Sequence, residues 1–232
     1  MIHVFPPDTR FDGAALITGF HGIGAAGYWT VKYLQQRLEF PRVASVDSPV
    51  APPVTSTVAG KLVSPYEFYR RDSLVLFKAE MPPQRDEEVP FYRELSDWIL
   101  HSGLREVGLV GGLDINLRHD ESTYRVVRTS AYQPTEEIAK ATTLEDDHLI
   151  VGPVAIMLNY FELRGFPAYA ILAYASPERM DPRAAAVSLG ILGRTYGFEL
   201  DVSPLIKGAE AIETAVAKKE DYGKKGLESM YT

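Results

Sequence analysis

Short runs of apolar residues recur along the chain, separated by polar stretches. Each run is nearly continuous, which is typical of strands that are buried on both faces of a sheet. The four clearest runs are Val43–Asp47, Leu74–Ala79, Glu106–Val110 and Ala168–Tyr174. Two other segments, Thr55–Val63 and Tyr124–Thr129, alternate apolar and polar residues. This alternation predicts strands that expose one face to solvent.

Between these strands the spacing of apolar residues changes to that of helices. Residues 86–100 open with acidic side chains, which stabilise a helix N-terminus, and their apolar residues share one face. The residues on that face are Phe91, Leu95, Trp98 and Ile99. Three more helices are predicted to begin at Pro153, Asp181 and Ser203 and to end near Gly165, Gly197 and Lys219.

Strands that alternate with helices indicate an α/β fold. We therefore predict a central, mixed and mostly parallel sheet with helices on both faces. The 232 residues contain no linker and no internal repeat, so residues 1–221 are expected to form a single domain. Beyond Asp221, two glycines and two lysines interrupt the helical pattern, and residues 222–232 are predicted to be a flexible tail.

Composition argues against several classes of function. The formal net charge is −7, and an acidic chain is a poor ligand for nucleic acid because phosphate contacts need clustered lysines and arginines. No apolar stretch approaches the ~20 residues that span a bilayer, and the N-terminus lacks the basic and apolar regions of a signal peptide. With 0 cysteines, disulfides, thiolate metal sites and cysteine nucleophiles are excluded. We expect a cytoplasmic protein that binds neither nucleic acid nor membrane.

A glycine motif follows an early apolar run, Ala14–Thr18. The glycines with the spacing G-x-G-x-x-G are Gly22, Gly24 and Gly27. A helical pattern comes next, and the following strand ends at Asp47. This order is the dinucleotide-binding pattern, in which the loop holds a pyrophosphate and the acidic residue holds a ribose. Phe20 and His21 make the loop longer than that pattern requires, and no second mononucleotide-binding half follows.

Two interpretations of the glycine motif remain open. In the first, the chain is an enzyme that binds a nucleotide or nucleoside through this loop, with Asp47 on the ribose. In the second, the glycines let a helix begin close to the sheet.

Two polar segments gather oxygen and imidazole groups of the kind that hold divalent cations. They are His119-Asp120-Glu121 and Glu145-Asp146-Asp147-His148. Charge runs are more often solvated loops, and we interpret both segments in that way. We predict no metal site and no cofactor.

Gly111 and Gly112 follow the predicted strand Glu106–Val110 and predict a tight turn at its carboxyl end. Asp114 and Asn116 lie close by in sequence, so a polar pocket is the alternative interpretation. No nucleophile elbow, phosphate-binding P-loop or helical histidine pair accompanies them. The chain is therefore not predicted to be an enzyme.

The last three residues are Met230, Tyr231 and Thr232. A flexible end of this kind can place an apolar side chain in a pocket and present its terminal carboxylate to a lysine. This segment is therefore a candidate site for binding a protein partner.

Three stretches of the chain together resemble the proteasome assembly chaperone 2 family. They are residues 19–34 (GFHGIGAAGYWTVKYL), 110–114 (VGGLD) and 150–205. The resemblance extends over roughly residues 10–220. The chain departs from the family pattern at two positions: His21 stands where the family usually has proline, and Gly165 is one residue closer to Leu163 than usual. It implies an α/β fold similar to nucleoside phosphorylases and hydrolases, without their catalytic groups.

The resemblance also implies a function and a partner. Archaeal members of the family are expected to be homo-oligomers, tetramers or pentamers, that bind the α-subunits of the proteasome core particle. A C-terminal hydrophobic-Tyr-X tail makes that contact, and Met230, Tyr231 and Thr232 match it by position. The chain is thus expected to be an assembly chaperone or an activator-like protein.

Overall fold

The computed structural model of this chain describes residues 1–210. Its strands are β1 (His3–Phe5), β2 (Ala15–Gly19), β3 (Arg42–Asp47), β4 (Ser56–Val58), β5 (Lys61–Val63), β6 (Tyr66–Arg71), β7 (Leu74–Ala79), β8 (Glu106–Asp114), β9 (Tyr124–Arg128) and β10 (Ala168–Ala175). Its helices are α1 (Ala26–Arg37), α2 (Glu88–His101), α3 (Glu136–Lys140), α4 (Pro153–Leu163) and α5 (Pro182–Tyr196). Residues 203–210 are also helical.

An eight-stranded mixed sheet lies at the centre, in the order β1-β3-β6-β7-β2-β8-β10-β9. The four central strands, β7, β2, β8 and β10, are parallel to one another. Antiparallel pairings add β6, β3 and β1 on one side and β9 on the other. The mixed α/β sheet is confirmed, although its parallel pairings are confined to the centre and do not form most of it.

Helices cover both faces of the sheet, as predicted. Helices α2 and α4 bury one apolar cluster, which includes Phe91, Leu95, Ile99, Met157 and Phe161. Helices α1 and α5 bury the other, which includes Val31, Leu34, Leu189 and Leu192. Fully burying each such side chain stabilises the fold by about 1.5–3 kcal/mol.

Proline, aspartate and glycine set the ends of the helices as expected. Pro153 occupies the first turn of α4, and Gly165, with φ +61°, follows its end. The Asp181 carboxylate accepts a hydrogen bond from the Arg183 N–H at 3.1 Å at the start of α5. Gly197 ends that helix in the left-handed region, with φ +74°.

The segment Thr55–Val63 is not the single strand that its alternation predicted. It forms a hairpin in which β4 pairs with β5 and with no other strand of the described residues. Ala59 and Gly60 both have positive φ, +49° and +74°, which is the geometry of the two-residue turns that join hairpin strands. Ten consecutive residues, 53–62, are exposed.

The prediction of a tight turn at Gly111 and Gly112 was wrong. Both glycines lie inside β8, which continues to Asp114. The strand continues because β10 pairs with it without interruption, from Ala168 opposite Val107 to Ala175 opposite Asp114. The ladder of backbone hydrogen bonds outweighs the low strand propensity of glycine here.

The two edges of the sheet are protected in different ways. At one edge, β1 has only three residues. At the other, residues 142–144 pair with the outer side of β9, where the Leu144 N–H donates to the Val126 carbonyl oxygen at 3.0 Å. Short or covered edge strands resist pairing with other chains.

The last predicted helix begins at residue 203, as expected. Leu205 and Ala209 are buried within it. Its predicted continuation to Lys219, the domain boundary at Asp221 and the C-terminal segment lie outside the described residues.

Candidate functional site

The carboxyl ends of β2 and β8 meet where the chain changes direction across the sheet. From β2 the chain passes through α1 to strands on one side, and from β7 it returns through α2 to β8 on the other. Open α/β sheets bind ligands in the crevice at such a topological switch point. The site of interest is therefore the pocket at this point, called here the switch-point pocket.

The switch-point pocket has a volume of about 280 Å³. It lies between the loop after β2, the end of β8 and the segment before α4, and its lining residues are Phe20–Ile23, Glu88, Val110–Leu113, Leu149–Val154 and Leu172. Most of these side chains are apolar, and His21 and Glu88 are the ionisable ones. Among residues 1–210, no lysine or arginine lines the pocket, so this part of the chain does not supply the side chains that usually bind phosphate there.

Close packing explains two of the glycines in the motif. A β-carbon on Gly27 would lie 2.3 Å from the Val110 carbonyl oxygen, and one on Gly24 would lie 2.6 Å from the Ala175 β-carbon. Gly24 also has φ +63°, a left-handed conformation that favours glycine. The start of α1 thus lies directly on β8 and β10, as the packing interpretation of the motif predicted. Gly22 differs, because no atom of residues 1–210 outside its immediate neighbours lies within 4 Å of its β-carbon position.

Asp47 lies far from the glycine loop. It ends β3, opposite His3 of β1, and strands β6 and β7 separate β3 from β2. Three spacings of about 4.8 Å between neighbouring strands place it about 14 Å to the side. The residues of the nucleotide hypothesis are therefore not brought together around one ribose and pyrophosphate.

We expect no response of this chain to NAD or ATP. A nucleotide at 100 times its dissociation constant would stabilise the fold by about 2.7 kcal/mol, which raises the Tm by several degrees in a chain of this size. A thermal-shift titration to millimolar nucleotide checks this, with buffer of matched ionic strength as control. A rise of several degrees that Gly22→Ala removes would instead support the nucleotide hypothesis.

Beside the pocket, His21 stacks on the ring of Tyr28 with a centroid distance of 4.0 Å. The Tyr28 hydroxyl donates to Glu80 at 2.7 Å and accepts from Lys32 at 2.8 Å. Burial and the bond to Glu80 raise the pKa of Tyr28, and burial lowers the pKa of His21. A tyrosine whose proton is held in this way is a poor general base. The hydrogen bond from Tyr28 to Glu80 therefore holds α1 against the end of β7.

Asp114 and Asn116 do not line the pocket. The Asp114 carboxylate accepts the Asn116 N–H at 2.9 Å and caps the short 3₁₀ turn Ile115–Leu117. Within residues 1–210, no group of three or more histidine, aspartate or glutamate side chains is placed to hold a metal ion.

The two polar segments are more than solvated loops, because a buried arginine joins them. Arg125 of β9 is 0% exposed. Its Nε donates to Glu145 at 2.7 Å and its Nη2 to Asp120 at 2.9 Å. His119 Nε2 lies 3.3 Å from Glu145. Sequence reasoning missed Arg125, although an arginine inside the apolar strand Tyr124–Arg128 signals a buried ion pair.

Removing the carboxylates around Arg125 is expected to destabilise the fold more than removing the arginine. The double variant Asp120→Asn, Glu145→Gln leaves a buried guanidinium without a counter-charge, whereas Arg125→Met leaves two carboxylates that water can reach. Thermal unfolding at pH 7 should show a fall in Tm of several degrees for the double variant and a smaller fall for Arg125→Met. A larger fall in Tm for Arg125→Met than for the double variant would contradict the interpretation of Arg125 as a buried cation neutralised by Asp120 and Glu145.

Acid titration provides a second measurement. The hydrogen bond from Arg125 lowers the pKa of Glu145 from 4.5 to about 2. A carboxylate with a lowered pKa stabilises the fold above its ordinary pKa and loses that contribution as the pH falls towards the lowered value. Stability should therefore fall between about pH 4.5 and 2, and less steeply in Arg125→Met than in the unmodified chain.

None of the helices within residues 1–210 is long and apolar enough to cross a bilayer.

Solved structures resemble this chain over nearly its whole length. Pyrococcus furiosus PbaA, an archaeal homolog of proteasome-assembly chaperone, superposes with a TM-score of 0.77 at 23% identity, over 95% of this chain and 97% of PbaA. P. furiosus PbaB, an archaeal proteasome activator, superposes with a TM-score of 0.74 at 21% identity, over 95% of this chain and 98% of PbaB. A Thermoplasma acidophilum protein of unknown function superposes with a TM-score of 0.72 at 21% identity, over 96% of this chain and 92% of that protein.

Because the sequence identities are 21–23%, the similarity to these structures establishes the fold of this chain and not its function. No curated protein matches the chain. The sequence model of the PAC2 family matches residues 16–220, which are most of the chain, and confirms the resemblance seen in the sequence. This chain belongs to the PAC2 family.

Proposed function

We propose that this chain is a proteasome assembly chaperone or an activator-like protein that binds the α-ring of the core particle through its C-terminal tail. The observation that carries the proposal is the hydrophobic-Tyr-X end, Met230-Tyr231-Thr232, on a chain of the PAC2 family. PbaA, a homolog of proteasome-assembly chaperone, and PbaB, a proteasome activator, share the fold of this chain and support the proposal.

Each residue of the tail has a separate role in this mechanism. The Thr232 carboxylate pairs with a lysine of the α-ring, Tyr231 packs in a cleft between α-subunits, and Met230 fills an apolar site. A charge-assisted hydrogen bond contributes about 1.5–3 kcal/mol, which is too little for tight binding by one tail. Several tails on one oligomer raise the avidity by ~10²–10⁴. A tetramer or pentamer of this chain is therefore part of the proposal.

The chain length leaves room for this contact. Leu205 and Ala209 are buried in the helix at residues 203–210, so the chain is fastened to the domain close to residue 210. Residues 211–232 could span at most about 80 Å if fully extended. We propose the division into a domain, residues 1–221, and a presented tail, residues 222–232, on this basis.

Binding without catalysis is the activity that we propose, in the cytoplasm and without a cofactor. The switch-point pocket has mostly apolar walls and, within the described residues 1–210, no lysine or arginine. Asp47 ends β3, and two strands, β6 and β7, lie between β3 and β2, the strand that the glycine loop follows. Neither observation favours the nucleotide-handling enzyme.

Pull-down of the purified core particle by the full-length chain tests the proposal. Retention of the core particle at micromolar concentrations of both proteins is the expected result. A core particle that is not retained even at tens of micromolar would overturn it.

A further inference from the structure

The loops at the carboxyl ends of the strands form one end of the molecule. Strands β3 and β7 are both antiparallel to β6 and therefore run in the same direction, and β2, β8 and β10 are parallel to β7. The loops after β3, β7, β8 and β10 are residues 48–65, 80–87, 115–123 and 176–181. They all lie at the end of the sheet that holds the switch-point pocket, and together they are called here the carboxyl-end face.

Each of these loops exposes at least one apolar side chain. The residues are Leu62, Met81, Ile115, Leu117 and Met180, and they are between 44% and 66% exposed. Neighbouring loops are in contact, because Ile115 and Asp181 line one pocket and the Asp181 N–H donates to the Gly24 carbonyl oxygen at 2.8 Å. Apolar side chains scattered singly are normal on a surface, whereas side chains grouped at one end mark an interaction site.

The helix at residues 203–210 carries the chain towards this face. Val202, just before the helix, lines a pocket with Gly193 near the end of α5. Ile206, about one turn into the helix, lines another pocket with Arg183 at the start of α5. The helix therefore runs antiparallel to α5, which begins beyond the carboxyl end of β10. Residue 210 is about 6 Å further along the helix than Ile206, and so it lies at the carboxyl-end face.

The tail is thus presented from the same end of the molecule as the exposed apolar loops. Residues 211–232 follow from this end, so a partner that holds Met230–Thr232 comes within reach of the face from which the chain departs. Once the tail is bound, a second contact forms as an intramolecular step at a high effective concentration. A face that is too weak to bind alone therefore adds to the affinity.

Carboxylates outnumber cations on the face. Residues 80–87 contain three carboxylates and one arginine, residues 115–123 and 176–181 each contain two carboxylates and one arginine, and residues 48–65 contain one lysine. The carboxylates of Asp86, Glu121 and Glu178 belong to exposed residues. A surface that mixes apolar and acidic side chains is complementary to one that mixes apolar and basic side chains.

We propose that the carboxyl-end face lies against the partner that the tail binds and contacts a basic, apolar surface of the α-ring beside the tail-binding cleft. The tail anchors the partner, and Ile115 and Met180 add apolar contact. The occupant is the partner of the tail because the chain leaves the domain at this face and because two copies of one acidic face repel each other. This inference rests on the proposed function and adds a second contact with the same partner.

Photo-cross-linking from the full-length chain tests the contact directly. Benzoylphenylalanine in place of Ile115 or Met180 should form adducts with α-subunits of the purified core particle. The same group in place of Leu163, which is 78% exposed at the opposite end of the molecule, is the matched control and should form none. Equal adducts from all three positions, or adducts from position 163 alone, would overturn the inference.

Affinity provides a second measurement. The double variant Ile115→Asp, Met180→Asp should raise the dissociation constant for the core particle at least about 10-fold in surface plasmon resonance, with an unchanged Tm. Leu163→Asp should bind like the unmodified chain. Asp86→Asn with Glu87→Gln should make the affinity less sensitive to salt, because salt screens exposed charges. An unchanged salt dependence would contradict the acidic contribution of the face.

The outcomes separate this inference from the proposed function. A core particle that is bound through residues 230–232, and bound equally well by the Ile115→Asp, Met180→Asp variant, overturns the face contact and leaves the proposed function standing. A core particle that the unmodified chain does not retain overturns both. A double variant that dissociates an oligomer of this chain, without adducts to α-subunits from position 115 or 180, assigns the face to a second copy and overturns the inference.

Discussion

Deletion of residues 230–232 is expected to abolish binding of this chain to the proteasome core particle and to leave its Tm unchanged. The three residues supply the whole recognition element of the proposed mechanism. The apolar clusters of the domain are already formed within residues 1–210, so the fold should not depend on them. Surface plasmon resonance with immobilised core particle measures the first effect, and calorimetry measures the second.

Single substitutions distinguish the tail motif from a general effect of the segment. Tyr231→Ala should lower the affinity by 100-fold or more, because a buried tyrosine at an interface commonly contributes at least ~2–3 kcal/mol and several tails multiply the loss. Tyr222→Ala is the matched control, a tyrosine of the same tail outside the motif, and should bind normally. One extra residue after Thr232 should also weaken binding, because it moves the carboxylate. Equal losses in Tyr231→Ala and Tyr222→Ala would refute the motif.

Gly27→Ala is expected to destabilise the domain by about 3 kcal/mol, which lowers the Tm by about 10 °C. The added β-carbon would lie 2.3 Å from the Val110 carbonyl oxygen and 2.8 Å from the Phe20 nitrogen. Both are backbone atoms of neighbouring segments, so α1 has to move away from the sheet. That movement separates Val31 and Leu34, both 0% exposed, from their partners.

Gly22→Ala is the matched control for this prediction. It adds the same methyl group to the same loop, at a position where no other described segment comes within 4 Å and where the backbone is extended, with φ −146°. Its cost should stay below about 1 kcal/mol. Chemical denaturation of both variants provides the measurement. Equal stability of the two would contradict the close approach of α1 to β8.

Local signals predicted much of the fold. Continuous apolar runs located β7, β8 and β10, because strands buried on both faces require them. The run at β3 was also located, but the prediction that this strand is buried on both faces was wrong, because Val43 and Asp47 are exposed. Glycine and proline placed the ends of α4 and α5, since their backbone preferences act within one or two residues.

Contacts between residues far apart in sequence account for the parts of the fold that the sequence patterns did not predict. Strand β6 contains Glu67, which looks solvent-exposed in the sequence but is 1% exposed in the fold. Arg42, 25 residues away, donates to it at 2.7 Å, and Tyr69 also bonds to it. The position of Glu67 thus depends on a partner that sequence spacing does not reveal.

The candidate site shows the same limit. Sequence spacing placed Gly22–Gly27 at the carboxyl end of a strand, where the structure has the switch-point pocket. It could not show that Asp47 lies elsewhere, because the strand that follows α1 in sequence does not neighbour β2 in the sheet. Arg125 and its carboxylates come from three separate segments, which only the fold brings together.

The protected edges of the sheet have a consequence for how copies of this chain meet. With β1 limited to three residues and β9 flanked by residues 142–144, neither border offers a long free backbone to template a further strand. Copies are therefore directed away from continuous, amyloid-like stacking and towards contacts made by side chains of loops and hairpins. Such contacts can be changed one residue at a time, so the affinity between copies can change without disturbing the sheet.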